Sequence, residues 1–172
     1  EFTNANNSGY YDLVNGGVLN ANVTGGAEVA NNGTVRASMT TSATINGNVT
    51  VANISSLVGV LISGTGTLTV NGNVSFTGGS GGYRTGIYSN TANSKLTLVG
   101  NCTGASTESN AVGFWSSATG AIVNITGNAT PASGGNGAAA IRVSGNNSTV
   151  TFSGISYGFG GKSGLDLGWT TG

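Results

Sequence analysis

The sequence has very few of the residues on which most binding and catalytic sites depend. It contains no histidine, one cysteine and only ten charged side chains, five of each sign, among 172 residues. The lone Cys102 excludes an internal disulfide, and the missing histidines exclude the ordinary zinc and haem sites, so we expect no metal and no cofactor. Without a Lys/Arg cluster we expect no nucleic-acid binding. Without a long apolar run we expect no membrane insertion.

Apolar residues, in contrast, are plentiful. Hydrophobic residues make up 37% of the chain and charged residues 6%. Disordered chains show the opposite composition, with high charge and few β-branched residues. The composition therefore predicts a folded protein, and its length fits a single domain.

An internal repeat runs along most of the chain. Triplets of the form Asn-x-Ser/Thr recur at steps of 26, 25, 28 and 27 residues, and one further step leads to Ile155, where the asparagine is missing. An apolar residue lies three places before each of these asparagines and before Ile155. In four of the repeats a second apolar residue lies two places before the first one. The asparagines are Asn22, Asn48, Asn73, Asn101 and Asn128; the two columns are Leu19, Ile45, Val70, Leu98, Ile125, Phe152 and Leu68, Leu96, Val123, Val150.

Each repeat has the period of a β-strand. Apolar and polar residues alternate in "TLTV" at 67–70 and "TVTF" at 149–152, and a second short strand lies about 14 residues earlier, with Val35, Val60, Ile87, Phe114 and Ile141 facing inward. No amphipathic helix is long enough to cross between parallel strands. The pattern predicts an all-β, single-domain parallel β-helix, a β-solenoid of about six coils of 25–28 residues. The general rule for parallel crossovers predicts a right-handed coil.

The chain divides into three parts by this pattern. We expect the coils over residues 15–158, an N-terminal segment over 1–14 and a C-terminal segment over 159–172. Neither terminal segment contains a plain cap, although a solenoid exposes unpaired strand edges at both ends. The N-terminal segment is either a cap or a strand given to a neighbour, and the C-terminal segment is a candidate end-to-end contact. The expected partners are copies of the same chain, joined head to tail or by strand addition.

The periodic asparagines have two interpretations. Stacked at one turn position, Asn22, Asn48, Asn73, Asn101 and Asn128 are expected to form a structural ladder, pairing amide to amide along the axis. The same triplets are also acceptors for N-glycosylation, and the chain has eleven of them. Many such matches arise from a composition rich in Asn, Ser and Thr, so we favour the ladder. The six further triplets begin at Asn6, Asn32, Asn53, Asn124, Asn146 and Asn147.

The repeats resemble a known class of proteins. The stretches "GGVLNANVTGGAEVANNGTV" and "GTGTLTVNGNVSF" are similar to the Gly/Asn/Thr-rich repeats of bacterial β-solenoid surface proteins, such as autotransporter passenger domains and haemagglutinin-like adhesins. The resemblance covers roughly residues 15–158 and specifies architecture, not a ligand. It implies an extracellular, non-enzymatic rod displayed from a cell surface. The chain departs from those families in lacking a membrane-barrel segment and a recognisable translocation domain.

Catalytic constellations are missing from the sequence. Solenoid glycosidases and lyases place carboxylates on adjacent coils, but no two acidic residues here share a column on neighbouring coils. Without histidine there is no Ser-His-Asp triad. The stretch "GGSGGYR" at 78–84 has the glycines of a calcium-binding nonapeptide without its aspartate. We therefore expect no catalytic residues and no enzymatic activity. The acidic residues are Glu1, Asp12, Glu28, Glu108 and Asp166.

One lateral face is a candidate binding surface. Tyr88, Trp115 and Arg142 occupy the outward position of the second strand on successive coils, and these residue types are enriched at interface hot spots. The alternative is that the loops at 77–85, 104–111 and 132–137 cover this stripe. Outward Thr69, Thr97 and Thr151 are similar to the threonine ranks of ice-binding solenoids, but Asn124 interrupts them.

These observations favour an extracellular structural protein at a cell surface, a self-assembling β-solenoid subunit of a fibre or filament. The alternative is a fragment of a surface adhesin passenger or phage-tail-like fibre whose aromatic face binds surface glycans or other cells.

Overall fold

The computed structural model describes residues 2–3, 10–25, 34–52, 58–77, 84–105, 111–131, 139–159 and 162–168. These residues form β-strands joined by turns, and no helix occurs among them. The strands are β1 (Phe2–Thr3), β2 (Tyr11–Leu13), β3 (Val18–Leu19), β4 (Val23–Gly25), β5 (Val35–Ala37), β6 (Ser42–Asn46), β7 (Val49–Ala52), β8 (Val58–Ile62), β9 (Thr67–Asn71), β10 (Val74–Thr77), β11 (Arg84–Ser89), β12 (Lys95–Val99), β13 (Cys102–Ala105), β14 (Ala111–Ser116), β15 (Ile122–Thr126), β16 (Ala129–Thr130), β17 (Ala139–Val143), β18 (Thr149–Ser153), β19 (Gly158–Phe159) and β20 (Lys162–Leu167).

The strands assemble into three sheets that run along the molecule. Sheet A has the order β1-β4-β7-β10-β13-β16, sheet B the order β19-β20-β17-β14-β11-β8-β5-β2, and sheet C the order β18-β15-β12-β9-β6-β3. From β2 to β18, successive strands along the chain belong to different sheets, and each strand pairs in parallel with its equivalents in adjacent repeats. This is a β-solenoid, which confirms the predicted all-β parallel fold.

The number of coils is slightly smaller than predicted. The coils β5–β7, β8–β10, β11–β13 and β14–β16 are complete, and all their strands except β16 have a strand neighbour on both sides, so the solenoid has about four full turns, not six. The sequence alignment also counted the two end coils. The first, β2–β4, lies at the N-terminal edge, and the last has β17 and β18 but only an isolated bridge, Ala129 to Ser156, in place of a third strand.

The core is made of the predicted apolar columns. Ile45, Val70 and Leu98 are aligned by the pairing of sheet C and are completely buried. Ile87 and Phe114 are aligned in sheet B and are buried as well. Both inward columns are confirmed, because a one-residue slip would turn every one of these side chains to the solvent.

Strand pairing extends beyond residues 15–158 at both ends. Strand β2 pairs with β5, and β20 adds a parallel neighbour to β17. Strand β19 then pairs antiparallel with the start of β20, Phe159 opposite Lys162, and so covers part of this edge. The sequence offered no plain cap here, because a two-residue strand is too short to leave a pattern of alternation.

A column of glycines lets the coils approach closely at the corner between sheets C and A. A Cβ atom on Gly72 would lie 2.2 Å from the carbonyl oxygen of Gly47, and one on Gly47 would lie 2.3 Å from that of Ala21. Glycine is required at these positions, because no side chain fits between the stacked corners.

Candidate functional site

The outer face of sheet B carries one continuous column of side chains. Pairing aligns Tyr88 with Trp115 and Trp115 with Arg142, so the three predicted site residues lie next to one another on successive strands. The column continues in both directions and ends in an aspartate at each end. Its members are Asp12, Arg36, Leu61, Tyr88, Trp115, Arg142 and Asp166.

Tyr88 and Trp115 form an ordered aromatic pair in the middle of this column. Their ring centroids are 5.2 Å apart and the rings are tilted by 50°. The Tyr88 hydroxyl and the Ser117 hydroxyl share a hydrogen bond of 3.1 Å, and Trp115 Nε1 donates to Ser144 Oγ at 3.3 Å. Both residues are half-buried. The hydrogen bonds hold the polar ends of the two rings and so fix their orientation.

Arg142 differs from the two aromatic residues because it is buried. Its exposed fraction is 4%, and its Nε donates to Asp166 Oδ2 at 3.0 Å. A buried guanidinium needs such a partner, since an unpaired charge is costly inside a protein. The accessible part of the predicted stripe is therefore the aromatic pair, with Arg142 beside it.

The N-terminal end of the column carries a second ion pair. Arg36 Nε and Nη2 donate to the two carboxylate oxygens of Asp12 at 2.7 and 2.6 Å, and the Arg36 guanidinium lies 4.2 Å from the ring centroid of Tyr10. The hydrogen bond from Arg36 lowers the pKa of Asp12 below its ordinary value. Neither ion pair was predicted from the sequence, although the two residues of each pair are 24 apart and flank the same inward column.

The periodic asparagines form a ladder, but not the predicted one. The side-chain Oδ1 of each asparagine accepts from the backbone N–H of the equivalent residue on the next coil, at 2.8 to 3.0 Å. The prediction of amide-to-amide pairing is wrong for this column. The side chains are also exposed or half-buried, not internal. The acceptors are Asn22, Asn48, Asn73, Asn101 and Asn128, and the last donor is the backbone of Ile155.

The backbone at the corner explains this geometry. The N–H groups of Gly47 and Val49 donate to the carbonyls of Asn71 and Asn73 on the following coil, but the N–H of Asn48 points to the preceding coil. There its acceptor is a side-chain oxygen, Asn22 Oδ1, at 2.9 Å. The side chain therefore supplies an acceptor that the ladder of backbone bonds lacks at this point.

Amide-to-amide pairing does occur, in a neighbouring column. Asn46 Nδ2 donates to Asn20 Oδ1 at 2.7 Å, and Asn71 Nδ2 donates to Asn46 Oδ1 at 2.8 Å. Val99 replaces asparagine on the next coil and ends this short ladder. These asparagines have no serine or threonine two places later, so the recurring triplet did not point to this second ladder.

Glycosylation and the ladder do not exclude each other at the periodic sites. A glycan is attached to the side-chain nitrogen, whereas the ladder uses Oδ1 and a backbone N–H. The choice between the two interpretations therefore disappears at these positions. Glycosylation itself stays a hypothesis, and Asn6, Asn32 and Asn53 lie outside the described residues.

Cys102 belongs to the core. It is completely buried, its thiol donates to the carbonyl oxygen of Ala140 at 3.2 Å, and burial raises its pKa to about 12. A thiol held in this state is a poor nucleophile and a poor metal ligand, because both roles need the thiolate.

Other expectations concern catalysis, metals and membranes. In the described part of the chain, no three His, Cys, Asp or Glu residues lie close enough to hold a metal ion. Nor does that part contain a helix long and apolar enough to cross a bilayer. Most of the loops at 77–85, 104–111 and 132–137, and the acids Glu1, Glu28 and Glu108, lie outside the described residues. The absence of enzymatic activity stays a prediction.

The two ends of the solenoid differ in shape. At the N-terminal end, Tyr11 belongs to an inward column but is 60% exposed. At the C-terminal end, Leu167 continues an inward column and is 59% exposed. Among the described residues, sheet B continues there with β20 and β19, beyond the level of β18 at the edge of sheet C. Apolar columns thus reach the surface at both ends.

No family model, no curated protein and no solved structure matches the chain.

Proposed function

We propose that the protein is a non-enzymatic structural subunit of an extracellular, cell-surface fibre, and that copies of it join through the open strand edges at the ends of the solenoid. The observation that carries this proposal is the exposure of inward-column residues at both ends, Tyr11 at one and Leu167 at the other. Soluble repeat proteins usually cover such ends with polar caps, and an uncovered edge pairs readily with another chain.

Strand addition fits the ends better than flat stacking. Strands β2 and β3 belong to one coil, so a copy that placed its β3 on β18 would bring its β2 to the position already occupied by β20. Strand β19 blocks part of the next position as well. The joint therefore needs an individual strand at the open edge, as in other cases of strand addition.

Negative-stain microscopy and sedimentation over a range of protein concentrations test this function. We expect fibres or a concentration-dependent series of oligomers. Tyr11→Lys places a charge at the N-terminal end and should abolish them, whereas Val99→Lys, on the side of the rod and 48% exposed, should not. Monodisperse single rods of the unmodified chain at high concentration would contradict the proposal.

A second function has support from the aromatic pair. Tyr88 and Trp115 are held at 5.2 Å and are half-buried, a geometry in which sugar rings or a partner chain could stack on the accessible faces. In this alternative the rod is part of a surface adhesin or phage-tail-like fibre that binds glycans or other cells. A Trp115→Ala variant with unchanged circular dichroism should lose binding on a glycan array. Unaltered binding by that variant would remove this alternative.

A further inference from the structure

Two asparagine-glycine dipeptides lie one above the other at the corner between sheets C and A. Asn46 ends β6 and Asn71 ends β9, pairing aligns the two, and a glycine follows each of them. Asparagine is a labile residue in water, and it is most labile before glycine, which has no side chain to hinder the reaction. The backbone nitrogen of the glycine bonds to the asparagine Cγ, and the Cγ–Nδ2 bond breaks with release of ammonia. Water then opens the resulting succinimide ring to aspartate or isoaspartate.

The attacking nitrogen of this reaction is engaged in the folded chain. The N–H of Gly47 donates to the carbonyl oxygen of Asn71 at 3.1 Å, and the N–H of Gly72 donates to that of Val99 at 3.0 Å. The nitrogen attacks only after it has lost its proton, and an amide bonded within a β-ladder gives up its proton slowly. Each bond to the next coil therefore protects the asparagine before it.

The side chain that would be attacked is held as well. Asn46 donates through Nδ2 to Asn20 Oδ1 at 2.7 Å, and its Oδ1 accepts from Asn71 Nδ2 at 2.8 Å. Its Cγ can turn toward the backbone nitrogen of Gly47 only if these bonds break.

The glycines at this corner have no room to move. A Cβ atom on Gly72 would lie 2.2 Å from the carbonyl oxygen of Gly47, so the backbone there is packed directly against the preceding coil. The conformational freedom that makes asparagine-glycine reactive in an unfolded chain is therefore missing while the coils are stacked.

We propose that Asn46 and Asn71 form a latent modification site, at which water converts the side-chain amide to aspartate or isoaspartate only when the stacked corner opens. Isoaspartate carries one more carbon in the main chain, and the corner has no space for it. A modified coil therefore closes poorly, and a transient opening leaves a permanent covalent mark. The inference does not depend on the proposed function.

Peptide mapping by mass spectrometry during incubation in mildly alkaline buffer measures conversion at each asparagine separately. The references are the synthetic peptides 41–51, "TSATINGNVTV", and 66–76, "GTLTVNGNVSF", and the whole chain unfolded in urea. Asn46 and Asn71 in the native chain should convert at least about a hundredfold more slowly than in the peptides, and urea should remove this protection. Equal rates in the native chain and in the peptides overturn the proposal.

A variant at the corner tests whether the stack is the cause. Gly72→Ala forces the corner apart but leaves Asn46 and Gly47 chemically intact, so conversion at Asn46 should rise by about tenfold or more. Gly16→Ala is the matched control, because a Cβ atom there would meet nothing within 4 Å, and it should leave conversion at Asn46 unchanged. An equal rise in both variants overturns the proposal.

A second variant keeps the test valid if Gly72→Ala does not fold. Asn20→Ala changes an exposed residue and removes the acceptor of Asn46 Nδ2, while the glycine N–H bonds stay in place. Conversion at Asn46 should rise, and conversion at Asn71 should rise less, because Asn71 still donates to Asn46 Oδ1. No rise at Asn46 in either variant overturns the proposal.

Discussion

The asparagine ladder makes the most specific prediction about stability. Asn73 sits in the middle of it: its Oδ1 accepts from the backbone N–H of Asn101 at 2.9 Å, and its own N–H donates to Asn48 Oδ1 at 2.8 Å. Replacing Asn73 by valine removes the first bond and leaves the second, because a backbone group makes it. The N–H of Asn101 then loses its acceptor.

The expected cost is about 1 kcal/mol of unfolding free energy, the net value of one neutral hydrogen bond. A fully buried N–H without a partner would cost up to about 3 kcal/mol. The smaller figure applies because Asn73 and Asn101 are both exposed, so water can reach the abandoned donor. A ladder buried inside the protein would have given the larger figure.

Two control variants separate the ladder from other effects. Asn73→Asp removes the side-chain nitrogen and any glycan but keeps an acceptor, so it should cost less than about 0.5 kcal/mol. Asn71→Val removes an exposed side-chain pair in a column where Val99 already occurs, and should also be nearly neutral. Urea unfolding followed by circular dichroism gives the three values if the m-values agree.

Hydrogen exchange at individual backbone amides provides the decisive measurement, since stacked coils need not unfold as one unit. In Asn73→Val the amide of Asn101 should exchange faster, while the amide of Cys102, which donates to the carbonyl of Asn128, should be less affected. If Asn73→Val and Asn73→Asp have equal stability and the Asn101 amide does not change, the side-chain acceptor has no energetic role and the reasoning is wrong.

Three further predictions concern the corner, the buried arginine and the thiol. Gly72→Ala should destabilise by about 3 kcal/mol in urea unfolding, since its Cβ meets a backbone oxygen, whereas Gly16→Ala, with open space around it and only a positive φ, should cost about 1. Equal costs would contradict the close approach of the coils. Asp166→Ala should cost about 2 kcal/mol because it leaves Arg142 buried without its carboxylate, and Asp166→Asn, which keeps an acceptor, should cost less. Cys102 should react with a thiol reagent at pH 8 only after unfolding, since burial raises its pKa to about 12; this same shift makes the native state lose stability as the pH rises above the ordinary thiol value. Rapid labelling of Cys102 in the native protein would refute the prediction that the thiol reacts only after unfolding.

Most of the fold could be predicted because the same pattern of apolar and polar residues recurs in successive repeats. A single strand such as β9 is ambiguous, but Val70 aligned with Ile45 and Leu98 on successive coils fixes both the register and the inward face. The outward neighbours follow from the same register, which is why Tyr88 and Trp115 could be placed side by side.

The remaining features depend on the backbone direction at the corners and on strands outside the repeats, which the repeat pattern does not determine. Whether Asn48 bonds to another amide or to a backbone N–H depends on which way the backbone turns at Gly47, and the alignment gives the position but not this direction. The cap strand β19 has only two residues and pairs in the opposite sense to all the others. The ion pair of Arg142 with Asp166 joins the last coil to a strand outside the aligned repeats.

The choice of asparagine over aspartate at the corner follows from stacking. Either side chain can accept from the next backbone N–H, and a carboxylate would accept more strongly. In a column, however, each side chain lies one coil, about 4.8 Å, from the next, and neighbouring carboxylates would repel by about 0.9 kcal/mol per pair even in water. With five members, from Asn22 to Asn128, the repulsion would offset much of what the bonds contribute. A neutral acceptor can be repeated on every coil without this repulsion, which is the arrangement found from Asn22 to Asn128.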